Sequence, residues 1–264
     1  MMSLGNFWAV FAFEWRRALT APRLAWWCVL ALFPVLIVSL VRLAAAQAEI
    51  PREPWALFLF VLTPMLTSML GALLWTAPAV SAELERESWI YIAVRPGGRT
   101  ALLLGKYLAA VAWVLPAALV GLTLSLAIAQ TGDNWRLWSA IARITCLSVP
   151  AYAAIYLVIG ALFSKRAMVY AVAYSLVFEL IVSKVPAVIN KLTVQYRLVN
   201  LWFDWADIKF PEGTEPPFII TNLISDLPAA QHVTVLACYA VIGLALAVIA
   251  VRHREYDFGQ SGDA

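Results

Sequence analysis

"LAWWCVLALFPVLIVSLVRL", residues 24–43, runs for twenty residues with one charge, Arg42, next to its end. A bilayer core is about 30 Å thick and a helix rises about 1.5 Å per residue, so about 20 apolar residues make one crossing. This stretch has that length, and its reading decides the fold class. A cleavable signal is the rival reading, because Arg16 and Arg17 precede the run and "AAAQA" (44–48) follows it. Signal cores span about 7 to 15 residues, and Arg42 stands just before the would-be cleavage site, so length favours a retained span.

Five further windows of the same character follow, at 55–80, 107–129, 144–163, 167–182 and 233–251. The whole chain agrees: 63% of its 264 residues are hydrophobic, 13% are charged and the mean hydropathy is +0.81. Ordinary soluble domains are about half apolar and a quarter charged. Pro34, Pro64, Pro116 and Pro150 fall inside four windows. Neighbouring helices or hydroxyls satisfy the backbone groups that such prolines free, so they mark bends rather than ends. The expectation is an all-α membrane protein of six transmembrane helices, forming a single domain over 1–264.

Lysine and arginine give the orientation. With the N-terminus cytoplasmic, the inner segments hold Arg16, Arg17, Arg23, Arg86, Arg95, Arg99, Lys106, Lys165, Arg166, Arg252 and Arg254. The short outer loops hold Arg42, Arg52 and Arg136, with Arg143 at the lip of span four, and a long outer segment holds the other four. Short loops rich in Lys and Arg stay inside, so both termini are expected in the cytoplasm of a cell-membrane protein. The net charge of +3 needs no nucleic-acid partner to explain it. Cys28, Cys146 and Cys238 fall in three different spans and read as small buried hydrophobes.

Outside the spans, 1–23 places Trp8, Phe11, Ala12, Trp15 and Leu19 at helical spacing around Glu14, Arg16 and Arg17. That pattern predicts an interfacial helix on the inner membrane surface, broken at Ala21-Pro22-Arg23. Trp26, Trp27, Trp55, Trp135 and Trp138 stand at window edges and read as headgroup-level anchors. The segment 184–232 is too long for a plain connection and rich in aromatics, so 186–206 reads as one or two helices at the outer face or partly re-entrant. It is either an outer gate or a cap over helix ends. A cytoplasmic tail, 252–264, follows the last span.

No catalytic constellation converges. His232 and His253 are the only histidines, and 21 helical residues separate them by about 30 Å. The chain lacks G-x-S-x-G, H-E-x-x-H and any two-cysteine metal motif. The nearest approach to a phosphate loop is Gly98 to Lys106, but six residues separate Gly98 from Gly105, Tyr107 follows Lys106, and a membrane span follows at once. The reading is of a chain that is not itself an enzyme. Glu179, inside "YSLVFELIVSK", is the one acid buried in a span, a candidate for a substrate path or for pairing with Arg143.

Between spans two and three, 81–106 carries Glu83, Glu85 and Glu87 at the start of a short helix and Arg95 at its end, in accord with the helix dipole. Pro96-Gly97-Gly98 stops that helix, and Arg99 and Lys106 share a face of the next, open to headgroups or an acidic partner. The pattern formed by Glu83, Arg86, Ser88, Pro96, Arg99, Gly105 and Lys106 resembles the signature between spans two and three of ABC-transporter permeases of the type-2 exporter family. One departure is Glu87-Ser88, where that family usually has Gly-Thr. The resemblance implies that Glu83, Glu85, Arg86, Ser88, Arg95, Pro96, Arg99, Gly105 and Lys106 form a cytoplasmic coupling helix, resting on a separate ATP-binding subunit that holds ATP and Mg. It also implies a homo- or heterodimer of permease subunits in the lipid bilayer, with Gly105-Lys106 opening span three. A non-transporting multi-pass scaffold or enzyme-complex subunit is the alternative class.

Overall fold

The computed structural model describes residues 4–45, 51–86, 88–95, 97–131, 134–185, 188–206, 227–254 and 256. Helix α1 (Leu4–Ala18) and α2 (Ala21–Ala44) are separated by Leu19-Thr20. A second crossing, Arg52–Ala79, comprises α3 (Arg52–Phe60), a π-helical turn (Val61–Thr67), α4 (Ser68–Thr76) and a 3₁₀ turn (Ala77–Ala79). Two short helices, α5 (Ser81–Glu85) and α6 (Trp89–Ala93), lead to the long α7 (Gly98–Ala129) and α8 (Asn134–Leu162). The fifth crossing, Ser164–Lys184, is built around α9 (Ala167–Tyr174) and a π turn (Ser175–Ile181). A 3₁₀ turn (Val188–Leu192) and α10 (Val194–Ala206) precede the last crossing, α11 (Ala229–His253).

Six of these crossings are long and apolar enough to span a membrane, in the order expected, and no strand occurs among the described residues. The chain is a multi-pass membrane protein. Helix α8 is its axis: 67% of its apolar window is buried within the protein, against 17% for α2 and for α11. Helices α4, α7, α10 and α11 all pack on α8, while α2 lies against α7. Leu137, Ile141, Ile144, Tyr152, Tyr156 and Leu157 of α8 are fully covered by these neighbours.

Close approach is bought with small side chains. A Cβ on Gly121 would stand 2.6 Å from the Ala31 carbonyl oxygen, so α2 and α7 touch backbone to backbone there. Without a hydrophobic drive between helices in lipid, such van der Waals contact is what holds the bundle together. Pro64 lies in the π turn, where it has no N–H to give to the helix ladder. Thr67 and Ser68 donate their hydroxyls back to the Leu62 and Thr63 carbonyls at 2.8 and 3.2 Å. Thr76, Thr145 and Ser175 likewise bond the Ala72, Ile141 and Ala171 carbonyls of their own helices at 2.7 to 2.8 Å.

Several expectations need correction. Span three begins at Gly98, after Gly97 in a left-handed conformation (φ 71°), so Gly105-Lys106 lies two turns inside the helix rather than opening it. The single helix expected from Glu83 to Arg95 is two: α5 ends at Arg86 (φ −92°, ψ 1°) and α6 starts at Trp89. All three cysteines are exposed on the outer surface of the bundle. In lipid the outward face is as apolar as the inward one, so hydropathy does not separate the two. Trp55 is 2% exposed and belongs to the core, not to an anchoring belt. Trp135, at 73% exposure, keeps the position expected of an anchor.

Candidate functional site

The end of the bundle that carries α1 holds the densest group of charges. Glu83 on α5, 6% exposed, accepts at Oε1 from Lys106 Nζ of α7 at 2.6 Å and from Arg17 Nη1 of α1 at 3.5 Å. Its Oε2 accepts from the Ser88 hydroxyl. Lys106, 8% exposed, also donates to the Ala79 carbonyl at 2.7 Å, and Arg17 Nη1 reaches Glu14 Oε1 one helical turn away at 3.4 Å. One carboxylate thus binds the N-terminal helix, the link between spans two and three, and span three.

Burial by itself raises the Glu83 carboxyl, but the Lys106 ammonium and its hydrogen bond, the Ser88 hydroxyl and Arg17 outweigh it and hold the group below the usual carboxylate range. Local sequence explains the convergence. Glu14 and Arg17 are three apart on one face of α1, and Gly105 lets that helix seat on α7. A Cβ at Gly105 would meet Val10 Cγ1 at 2.6 Å. Trp15 then packs edge-on to Trp113 of α7, 5.7 Å between ring centres.

The other residues of the predicted coupling element scatter around this hub. Glu85, Arg86 and Arg95 are exposed, and Arg16 is exposed on α1. Pro96 lies outside the described residues. Arg99 lies over the Trp89 ring at 5.9 Å and donates to the Val251 and Arg252 carbonyls at 3.3 and 3.5 Å, where α11 ends. Arg252 returns a bond to the Thr100 hydroxyl at 3.0 Å. The shared face expected of Arg99 and Lys106 is therefore not an open one: Lys106 points inward to Glu83, and Arg99 fastens span three to span six.

Glu179 heads a second group. It is fully buried, and its carboxylate accepts from Tyr174 Oη at 2.8 Å, Tyr152 Oη at 3.5 Å, and the backbone N–H groups of Val194 and Gln195 at 3.2 and 2.9 Å. Those two amides open α10. Thr193 Oγ1 accepts from the Tyr196 N–H at 3.2 Å, so a threonine on the helix's own chain and a carboxylate from span five cap it together. A negative group is well placed at a helix N-terminus.

The expected pairing of Glu179 with Arg143 is not the arrangement found. Arg143 donates Nε to the Ser139 carbonyl at 3.0 Å and stacks its guanidinium over Trp205 of α10 at 4.8 Å. Both residues hold α10, from opposite ends. Sequence reading missed this because the donors to Glu179 are backbone amides, which leave no mark in residue identity. The one readable hint was Thr193 three places before Tyr196, an N-cap spacing.

The site's chemistry is that of fixed contacts. Among the described residues no cluster of His, Cys, Asp and Glu could hold a metal, and His232 and His253 lie at opposite ends of α11. Comparison of the chain with protein-family models returns no match, and comparison with curated proteins returns none.

Proposed function

We propose that the chain is the membrane-spanning permease subunit of an ATP-driven ABC transporter of the type-2 exporter class, set in the cell membrane with both termini cytoplasmic. The observation that carries this reading is the Glu83 hub, which lets force applied at one cytoplasmic segment reach α1 and span three together. In this reading α1 is the interfacial helix and α5 and α6 are the coupling element. Exposed Glu85, Arg86 and Arg95 meet the ATP-binding subunit, which supplies ATP, Mg and hydrolysis. Two permease subunits, alike or different, face each other in the bilayer and alternate access between its sides. Helix α10, held by Glu179 and Arg143, forms part of the outer boundary that must open for release. The role assigned to Glu179 is to hold that helix, since protein donors already occupy its carboxylate.

The test is isolation of the tagged full-length chain from its native membrane. Retention of an ATPase subunit, with its hydrolysis rate altered by charge reversal at Glu85 or Arg86, supports the reading. Isolation of the folded chain with no ATPase subunit, or hydrolysis indifferent to both reversals, refutes it.

A further inference from the structure

A cavity of about 260 Å³ opens beside the Glu83 hub, between α1, the first two turns of α2, α4 and α7. Three cations line it: Arg17, Arg23 and Lys106. Two have carboxylate partners, since Lys106 binds Glu83 and Arg17 binds Glu14 and Glu83. Arg23 does not. Among the described residues its guanidinium makes no hydrogen bond or ion pair, and it lies over the Trp75 ring at 5.7 Å. Glu14 also lines the cavity, so two carboxylates at the site face three cations, leaving one positive charge in excess.

Position adds to charge. Arg23 and Trp26 belong to the first turns of α2, a 24-residue helix whose N-terminal dipole adds positive potential. Trp26 is 62% exposed at the start of a membrane span, the level at which tryptophan rings lie among headgroups. The rest of the wall is apolar, formed by residues such as Leu74 and Pro78. Guanidinium forks match phosphate oxygens in pairs, and basic residues beside a membrane span recognise anionic headgroups. At 260 Å³ the space suits a headgroup rather than a whole lipid.

We infer that this cavity is a binding site for a phosphate group, supplied by an anionic phospholipid headgroup or by free phosphate, with Arg23 as its principal contact and Arg17 beside it. The site stands independently of whether the chain transports anything.

The experiment uses the full-length chain in neutral detergent, with any subunit that accompanies it. Native mass spectrometry reads retained lipid after exposure to equal phosphatidylglycerol and phosphatidylcholine, and a separate arm adds inorganic phosphate. Phosphatidylglycerol should be preferred, and Arg23→Gln should lower that preference about fivefold, the expectation for one cation at a membrane surface. Arg16→Gln, an exposed neighbour outside the cavity, should lower it much less. If Arg23→Gln does not fold, Arg23→Lys keeps the charge without the fork and should still lower the preference. Phosphate that raises the wild type's thermal stability, with no lipid preference and with the effect lost in Arg23→Lys, assigns free phosphate as the source. The inference is overturned by neither lipid preference nor phosphate effect in the wild type, by equal losses in Arg16→Gln and Arg23→Gln, or by an Arg23→Lys protein that behaves as wild type.

Discussion

Glu83→Gln is the sharpest perturbation of the charge hub, because it preserves shape and removes only charge. Lys106 would remain 8% exposed, keeping its 2.7 Å bond to the Ala79 carbonyl and an uncharged amide oxygen in place of the carboxylate. Hydrogen bonds to charged groups contribute about 1.5 to 3 kcal/mol, and the 2.6 Å ion pair is the main loss, since Arg17 stands at 3.5 Å and the Ser88 hydroxyl keeps the Glu83 carbonyl as an acceptor. For a chain of this size that amounts to a fall in Tm of roughly 3 to 12 °C. Lys106→Met alone strands Glu83 with Ser88 and Arg17, a smaller loss because both partners stay. Replacing both partners of a buried pair with groups of similar shape is often nearly neutral, so the double variant should recover much of the lost stability. Thermal unfolding followed by tryptophan fluorescence in detergent, across the wild type, both single variants and the double, completes the cycle. Losses that simply add, with coupling below about 0.5 kcal/mol, would show that the pair is not the link described.

Three further outcomes are expected. Glu83 is held below its unfolded value, so its contribution is present above about pH 4.3 and is lost as pH falls through the lower folded value. Acid melts from pH 7 to 3 should therefore show a shallower loss for Glu83→Gln, and parallel curves would refute this. Glu179→Gln turns an NH₂ toward either the Val194 or the Gln195 N–H, at about 2 kcal/mol or more. Hydrogen exchange should rise across 194–206, and on the proposed permease reading transport should fall even where the partner's ATPase activity persists; unchanged exchange would remove the cap from the account. Gly105→Val drives a branched side chain into Val10 and should cost about 1 to 3 kcal/mol and lift α1 from α7. A cross-link between cysteines placed at Trp15 and Trp113 reads that separation directly, and undiminished cross-linking refutes it.

What could be read from the sequence follows from what lipid demands. Six crossings were legible because twenty apolar residues in a run have few other uses, and a break after α1 was legible from Pro22, although it falls at Leu19-Thr20 because Pro22 sits in the first turn of α2, where its missing N–H costs nothing. Burial was not: Trp55 in the core and Cys28 on the outside sit in equally apolar runs, and only packing distinguishes them. The residues of the candidate hub could be named from local pattern, yet their meeting spans 66 residues from Arg17 to Glu83 and 23 from Glu83 to Lys106. Spacing along one chain does not encode such distances. Gly105-Lys106 shows the same limit, since whether it began a helix or lay inside one depended on Gly97 adopting a left-handed turn eight residues earlier.

The hydroxyls of the crossings bear on biogenesis. Because Thr67, Ser68, Thr76, Thr145 and Ser175 each bond a carbonyl of their own crossing, these segments can enter the bilayer as they leave the ribosome without waiting for a neighbour. Lys106 also emerges after its partner, Glu83, has been made. Glu179 is the exception. The Tyr152 and Tyr174 hydroxyls that bond it are made before it, but the two amides that complete its shell belong to Val194 and Gln195, which are synthesised later, so the fifth crossing enters the membrane with its acid only partly matched. Released chains truncated between residues 184 and 193 should therefore be held less firmly in the bilayer than those extended past 206, a difference that Glu179→Leu should abolish.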